Sequence, residues 1–247
     1  MSNINDTYFD GMYKEVWRSM IPDQLTIKEV AFILSYFKLS PGQRVLDIMC
    51  GFGRHSIALS REGLQVTAVD NLGDYITEIE DTARRETLPL KAIKADIIPY
   101  QPDGMFDLVI CMGNSLNFFS PSEMKILFGT MSRHLKTGGK MLINTWTIAE
   151  IAFRQFVDKS ESTVDGTIFT TRSEYLLYPS RIETETSMVS AEGVTEKKLA
   201  IDYIVSISEL DQLLKEHGFS VTEIFSVPGK KKFALGDPRA YVIAEKL

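Results

Sequence analysis

Cysteine and histidine are scarce in this chain: its 247 residues hold two Cys, Cys50 and Cys111, and three His. Two thiols cannot make a disulfide framework for a chain of this length, and three imidazoles leave few good bases. Excess positive charge is missing as well. The 27 Lys and Arg against 33 Asp and Glu give a net charge of −6, which argues against nucleic acid as a partner, because phosphate affinity is built from clustered cations. The one compact basic run, Lys230-Lys231-Lys232, reads as a solvated hairpin loop. No apolar window approaches membrane-spanning length, and the start lacks a cationic stretch followed by an apolar one. A cytoplasmic protein with no membrane partner is expected. Apolar content of 44% with 24% charged residues is ordinary for a globular chain, and the length suits one α/β domain with an insertion.

What is present is a punctuated alternation of apolar runs and acids. Val45 to Ile48 reads as a strand, Gly51-Phe52-Gly53 as a tight turn opening a helix, and Val66 to Val69 as a second strand closing on Asp70. An acid about 20 residues past such glycines can grip a ribose diol at the switch point of a doubly wound sheet. Asp47, beside the turn, discriminates between ligands. A dinucleotide would set its pyrophosphate there, where a fixed anion repels it. Ser56 also stands where the dinucleotide fingerprint wants a third small Gly or Ala. S-adenosylmethionine has no phosphate and carries a sulfonium and an α-ammonium, so Asp47 favours it. NAD-dependent oxidoreduction is the disfavoured rival, and a non-catalytic S-adenosylmethionine-binding protein is another.

These residues resemble the class I S-adenosylmethionine-dependent methyltransferases. Val45 through Gly53 is similar to that family's first motif, Val69-Asp70 to its second and Ala95-Asp96-Ile97 to its third. Phe106 to Met112 resembles its fourth strand, and Leu135 to Ile143 the turn into its fifth. The resemblance implies a Rossmann-like seven-stranded sheet with helices on both faces. It also implies a cofactor site of Asp47, Met49, Gly51, Gly53, Asp70, Asn71, Asp96, Ile97 and Met112. Met49-Cys50 and Asn71 depart from the commoner residues at their places without removing a group the cofactor needs.

Three parts follow from the patterning. Residues 1–149 hold an aromatic N-terminal segment, read as irregular up to about residue 25, and the cofactor-binding core. Residues 150–206 read as an antiparallel lid insert of three strands, Thr167 to Tyr178, Arg181 to Ser190 and Lys197 to Ser206. Residues 207–247 complete the core with a helix capped by Ser208 and a terminal hairpin.

Methyl transfer needs alignment and exclusion of water more than a dedicated side chain, and no catalytic residue or metal ligand is assigned. His55 reads as an apolar or capping residue, and His134 and His217 as helix C-terminal residues. Tyr13 and Trp17 could close over a sulfonium by cation–π attraction. Asn114 and Ser115, just past the fourth strand, and Arg172 and Tyr203 on the insert are the candidate acceptor residues. Cys111 to Ser115 lacks the Asn-Pro-Pro-aromatic and Asp-Pro-Pro-aromatic boxes and the Pro-Cys pair used by related enzymes on amino groups and on cytosine carbon. A small-molecule acceptor, methylated on N or O, is expected.

Overall fold

Apolar runs flanked by turn residues become parallel strands when helices cover both of their faces, and that logic shapes this chain. The computed structural model describes residues 3–247. A 3₁₀ turn, Ile4–Thr7, leads into α1 (Gly11–Ser19) and α2 (Asp23–Tyr36). The alternating series is β1 (Arg44–Ile48), α3 (Arg54–Arg61), β2 (Gln65–Asp70), α4 (Gly73–Glu86), β3 (Leu90–Lys94), β4 (Phe106–Cys111), α5 (Pro121–His134) and β5 (Leu135–Thr145). After α6 (Ala149–Gln155) come β6 (Lys159–Val164), β7 (Thr167–Leu177), β8 (Ser180–Val189) and β9 (Thr195–Tyr203). The chain ends with α7 (Ile207–Lys215), β10 (Phe219–Val227), β11 (Lys231–Lys232) and β12 (Ala240–Lys246).

The main sheet has the order β11-β10-β12-β5-β4-β1-β2-β3. β1 lies between β2 and β4 and runs parallel to both, so the strand order reverses there and a crevice opens beyond the tips of β1 and β4. Residues along β1 alternate between two cores. Leu46 and Ile48 pack among Met124, Phe128 and Leu210, while Val45 packs among Val30, Ile33 and Leu59. β12 runs antiparallel between β10 and β5, as the Rossmann-like reading expects.

The insert has four strands where three are expected, in the order β6-β7-β8-β9. β6, Lys-Ser-Glu-Ser-Thr-Val, is almost wholly exposed and has no apolar alternation to reveal it; pairing with β7 from Lys159↔Arg172 to Val164↔Thr167 holds it. The main sheet gains an eighth strand, β11, in which Lys231 and Lys232 pair with Asp237 and Glu223. The N-terminal segment is helical rather than irregular, because Tyr13, Val16 and Trp17 form one face of α1 that packs on the insert. The cap of α7 is Ser206, not Ser208, in a reciprocal box with Glu209. β5 runs through Gly138-Gly139, where a turn is expected; a Cβ on Gly139 would lie 2.8 Å from the Lys136 carbonyl oxygen.

Side-chain amides join the insert to the core. As the insert's edge, β9 exposes peptide groups that need partners. Asn5 acts as a short surrogate strand, accepting from the Ile201 amide at 2.8 Å and donating to its carbonyl at 2.9 Å, and Asn117 donates to the Tyr203 carbonyl at 2.9 Å.

Behind the glycine turn, Glu29 is buried and accepts from Arg54 at 2.6 Å and from the Tyr241 hydroxyl at 2.7 Å, with His55 Nε2 at 2.9 Å. Burial opposes its charge, but these partners outweigh it and hold the Glu29 carboxyl down at about 2. Burial and the Arg54 charge keep His55 neutral. Glu29→Ala strands Arg54 and the Tyr241 hydroxyl, and should cost about 3–5 kcal/mol in urea unfolding, with Glu29→Gln costing less. Because the folded carboxyl lies below its unfolded value, this contribution is present above about pH 4.5 and lost as pH falls toward 2.

Candidate active site

Between β1 and α3 the backbone turns through three left-handed residues, Met49 (φ 52°), Gly51 (φ 55°) and Gly53 (φ 75°), a conformation that glycine adopts without steric cost. The two glycines serve different ends. A Cβ on Gly53 would lie 2.6 Å from Ile79 Cγ1, so Gly53 allows α3 to approach α4. A Cβ on Gly51 would meet nothing within 4 Å, because Gly51 faces a cavity of about 970 Å³, open mouth included. That is ample for a nucleoside-sized ligand.

Three acids meet this cavity at successive strand tips. Asp47 is 1% exposed; its Oδ2 accepts from Ser56 Oγ at 2.6 Å. Among the described residues its Oδ1 is buried with no hydrogen-bond partner. Burial pushes its carboxyl up to about 7, opposed by Ser56 and the Arg54 charge and reinforced by Asp70. Asp70 accepts from the Gly51 amide at 2.8 Å and from the Leu72 amide at 3.0 Å. These amides limit the rise that burial imposes on its carboxyl. Asp96 is exposed at the cavity rim and accepts from the Ile98 amide at 3.0 Å.

Met49, Asn71, Ile97, Met112, Ser115 and Trp17 also line the cavity. Gly53 lies behind it, spent on helix packing. Tyr13 is corrected from the cofactor side to a buried aromatic cluster with Tyr8, Phe9 and Phe169. Arg172 and Tyr203 are corrected as well. Register in the insert puts them on the same face as Leu199, opposite the face of Phe169, Thr186 and Ala200 that packs on the N-terminal segment. Arg172 is exposed.

Asn114 is left-handed (φ 68°) and its amide is fully engaged. Its Oδ1 accepts from the Trp146 and Thr147 amides and the Thr145 hydroxyl at 2.8–3.1 Å. Its Nδ2 donates to Thr147 Oγ1 and, at 2.9 Å, to Asp202 Oδ1. Asn114 is therefore a structural hub with no capacity left for a ligand. Sequence reading missed Asn5, Asp6, Phe9, Arg54 and His55 as cavity residues. Only His55 was visible as a residue to weigh, and its Glu29 partner lies a helix away.

A methyltransferase domain model matches residues 45–139, the segment carrying all three acids. Curated relatives include human glycine N-methyltransferase, 30% identical over 157 residues, which cover 56% of this chain and 53% of that protein. The chain spans about half the length of the curated relatives it matches. An S-adenosylmethionine-dependent methyltransferase from Clostridium acetobutylicum superposes with a TM-score of 0.80 at 18% identity, covering 95% of this chain and 96% of that one. The sugar N-methyltransferase KedS8 from Streptoalloteichus superposes at 0.71 and 17% identity, covering 96% and 93%. The fold is that of the class I methyltransferases. Among the described residues, no helix is long and apolar enough to cross a membrane.

The raised Asp47 carboxyl has a thermodynamic consequence. The folded state binds its proton more tightly than the unfolded state, so Asp47 costs no stability below about pH 4 and an increasing amount as pH rises to about 7. In the ligand-free protein, Asp47→Asn should raise stability by up to about 4 kcal/mol at about pH 8, the gain vanishing near pH 4. Thermal unfolding of both proteins at the two pH values measures it.

Proposed function

We propose that this chain is an enzyme that transfers the methyl group of S-adenosylmethionine to an N or O atom of a small-molecule acceptor, releasing S-adenosylhomocysteine. The observation that carries this reading is the unpartnered, buried Asp47 Oδ1 beside the open face of Gly51. An oxygen so placed suits a cation and repels a pyrophosphate. The residues fit the cofactor: Asp47 takes its α-ammonium, Asp70 its ribose hydroxyls and Asp96 the adenine amino group. Ile97 and Met112 flank the adenosine, Met49 and Asn71 complete the walls, and Trp17 covers the sulfonium. When bound, the cofactor supplies a methyl carbon already activated toward displacement by its positive sulfur.

The chain's own residues orient the reactants and keep water out. Aromatic rings of the N-terminal segment, Phe9 and Trp17, line the cavity, so closing the site desolvates it. No thiol nucleophile is available, since burial pushes both the Cys50 and the Cys111 thiol upward. Relatives named for methylation of glycine and of a sugar nitrogen support a small acceptor. A cytoplasmic setting belongs to the same proposal, supported by two unpaired thiols.

Calorimetric titration with S-adenosylmethionine and S-adenosylhomocysteine should give saturable binding, with NAD giving none. Asp70→Ala should weaken that binding by about 1.5–3 kcal/mol for each charge-assisted bond lost. Unchanged affinity in the variant would exclude the ribose role of Asp70.

A further inference from the structure

One half-buried acid lies outside the cofactor site. Asp202, on β9, points from the face of the insert that packs on the N-terminal segment, the face it shares with Ala200 and, through the register, with Ile182 and Thr186. Its Oδ1 accepts from Asn114 Nδ2 at 2.9 Å and from the Thr147 hydroxyl at 3.3 Å. Among the described residues Oδ2 has no hydrogen-bond partner, the residue is only half-buried, and no Lys, Arg or His pairs with the carboxylate. Burial pushes its carboxyl up to about 7.

Its neighbours are aromatic and uncharged. The titratable groups facing it are the phenols of Tyr8 and Tyr13, both raised by burial and by the Asp202 charge, and so neutral. Tyr8 is fixed by a 3.0 Å bond to Thr186. The cavity adjoins this place through shared residues. Gly113 and Asn5 line the cavity; Gly113 precedes Asn114, which holds Asp202, and Asn5 binds the backbone of Ile201 next to it. A carboxylate anchored by one oxygen and open at the other, set against aromatic rings, recognises an organic ammonium. It repels a carboxylate.

We propose that Asp202 Oδ2 is the acceptor-binding group, that the acceptor is an amine, and that Asp202 takes its proton. This rests on the methyl-transfer reading above. The acceptor enters as an ammonium ion. One N–H bond breaks, its proton forms an O–H bond with Oδ2, and the bonding pair remains on nitrogen as the lone pair that accepts the methyl group. Without that step the nitrogen has no pair to offer.

The test titrates cyclohexylamine, cyclohexanol and cyclohexanecarboxylate into the full chain saturated with S-adenosylhomocysteine. The amine should bind at least about tenfold more tightly than the other two, and Asp202→Asn should abolish the preference while leaving S-adenosylhomocysteine affinity unchanged. In the wild type, amine affinity should rise about tenfold from about pH 5.5 to about pH 8.5, as Asp202 ionises while the aliphatic amine stays charged. This second readout holds even if the variant misfolds. A wild type that binds S-adenosylhomocysteine but shows no amine preference, or an Asp202→Asn protein that keeps it, overturns the proposal. Failure of the wild type to bind S-adenosylhomocysteine overturns the methyl-transfer reading instead.

Discussion

A carboxylate buried without a full set of partners is the constraint around which this fold is arranged. Asp47 sits at the tip of the central strand, sealed from water, with Ser56 serving one oxygen and, among the described residues, nothing serving the other. Such a group is tolerable only where the surroundings are fixed by other means. Here the fixing comes from behind, where Glu29 binds Arg54, His55 and Tyr241 and so ties α2, α3 and β12 together. It also comes from the side, where Asp70 collects the Gly51 and Leu72 amides. One acid network is complete and rigid, and the other is left one partner short. The incomplete one faces the cavity.

The insert is attached by a different device. Its sheet shares no strand with the main sheet, and beside the apolar packing of α1 it is attached by side-chain amides, each able to donate and accept at once. Asn5 and Asn117 complete the edge of β9, and Asn114 joins the tips of β4 and β5 to Asp202. The same bonds that dock the insert therefore hold the Asp202 carboxylate in place. Docking of the insert and placement of the Asp202 carboxylate cannot be varied independently at Asn114.

The parallel core was legible because its signals are local: apolar runs, left-handed glycines and acids at strand tips are all visible within a few residues of one another. Asp47 and Ser56, nine positions apart, even carried their chemical argument, since the serine that breaks the dinucleotide pattern is the one that binds the acid. What escaped is long-range or one residue out of phase. Glu29 meets Tyr241 across 212 positions. On β9 the alternation was visible but its phase was not, so Tyr203 was chosen where its neighbour Asp202 faces inward. A slip of one residue moves every side chain of a strand to the other face, and only the packing of Tyr8, Tyr13 and Phe169 decides which face is covered. β6 escaped for the opposite reason, having no covered face at all.

Two carboxyls, Asp47 and Asp202, are pushed up to about 7 by burial, and both lean on hydroxyl and amide donors in place of cations. Were either there for stability, an amide of the same shape would serve better, because it satisfies the same neighbours with no charge to desolvate. Retaining the acid is rational only if a cation arrives to pair with it. Two such vacancies, one at the glycine turn and one across the tips of β4 and β5, then call for two cationic groups. On the proposed methyl-transfer reading, an ammonium-bearing cofactor and an ammonium-bearing acceptor supply them. On this argument the ligand-free protein stores part of its binding free energy as unfavourable buried charge, released when each cation docks, and its stability and its affinities are linked through the same two residues.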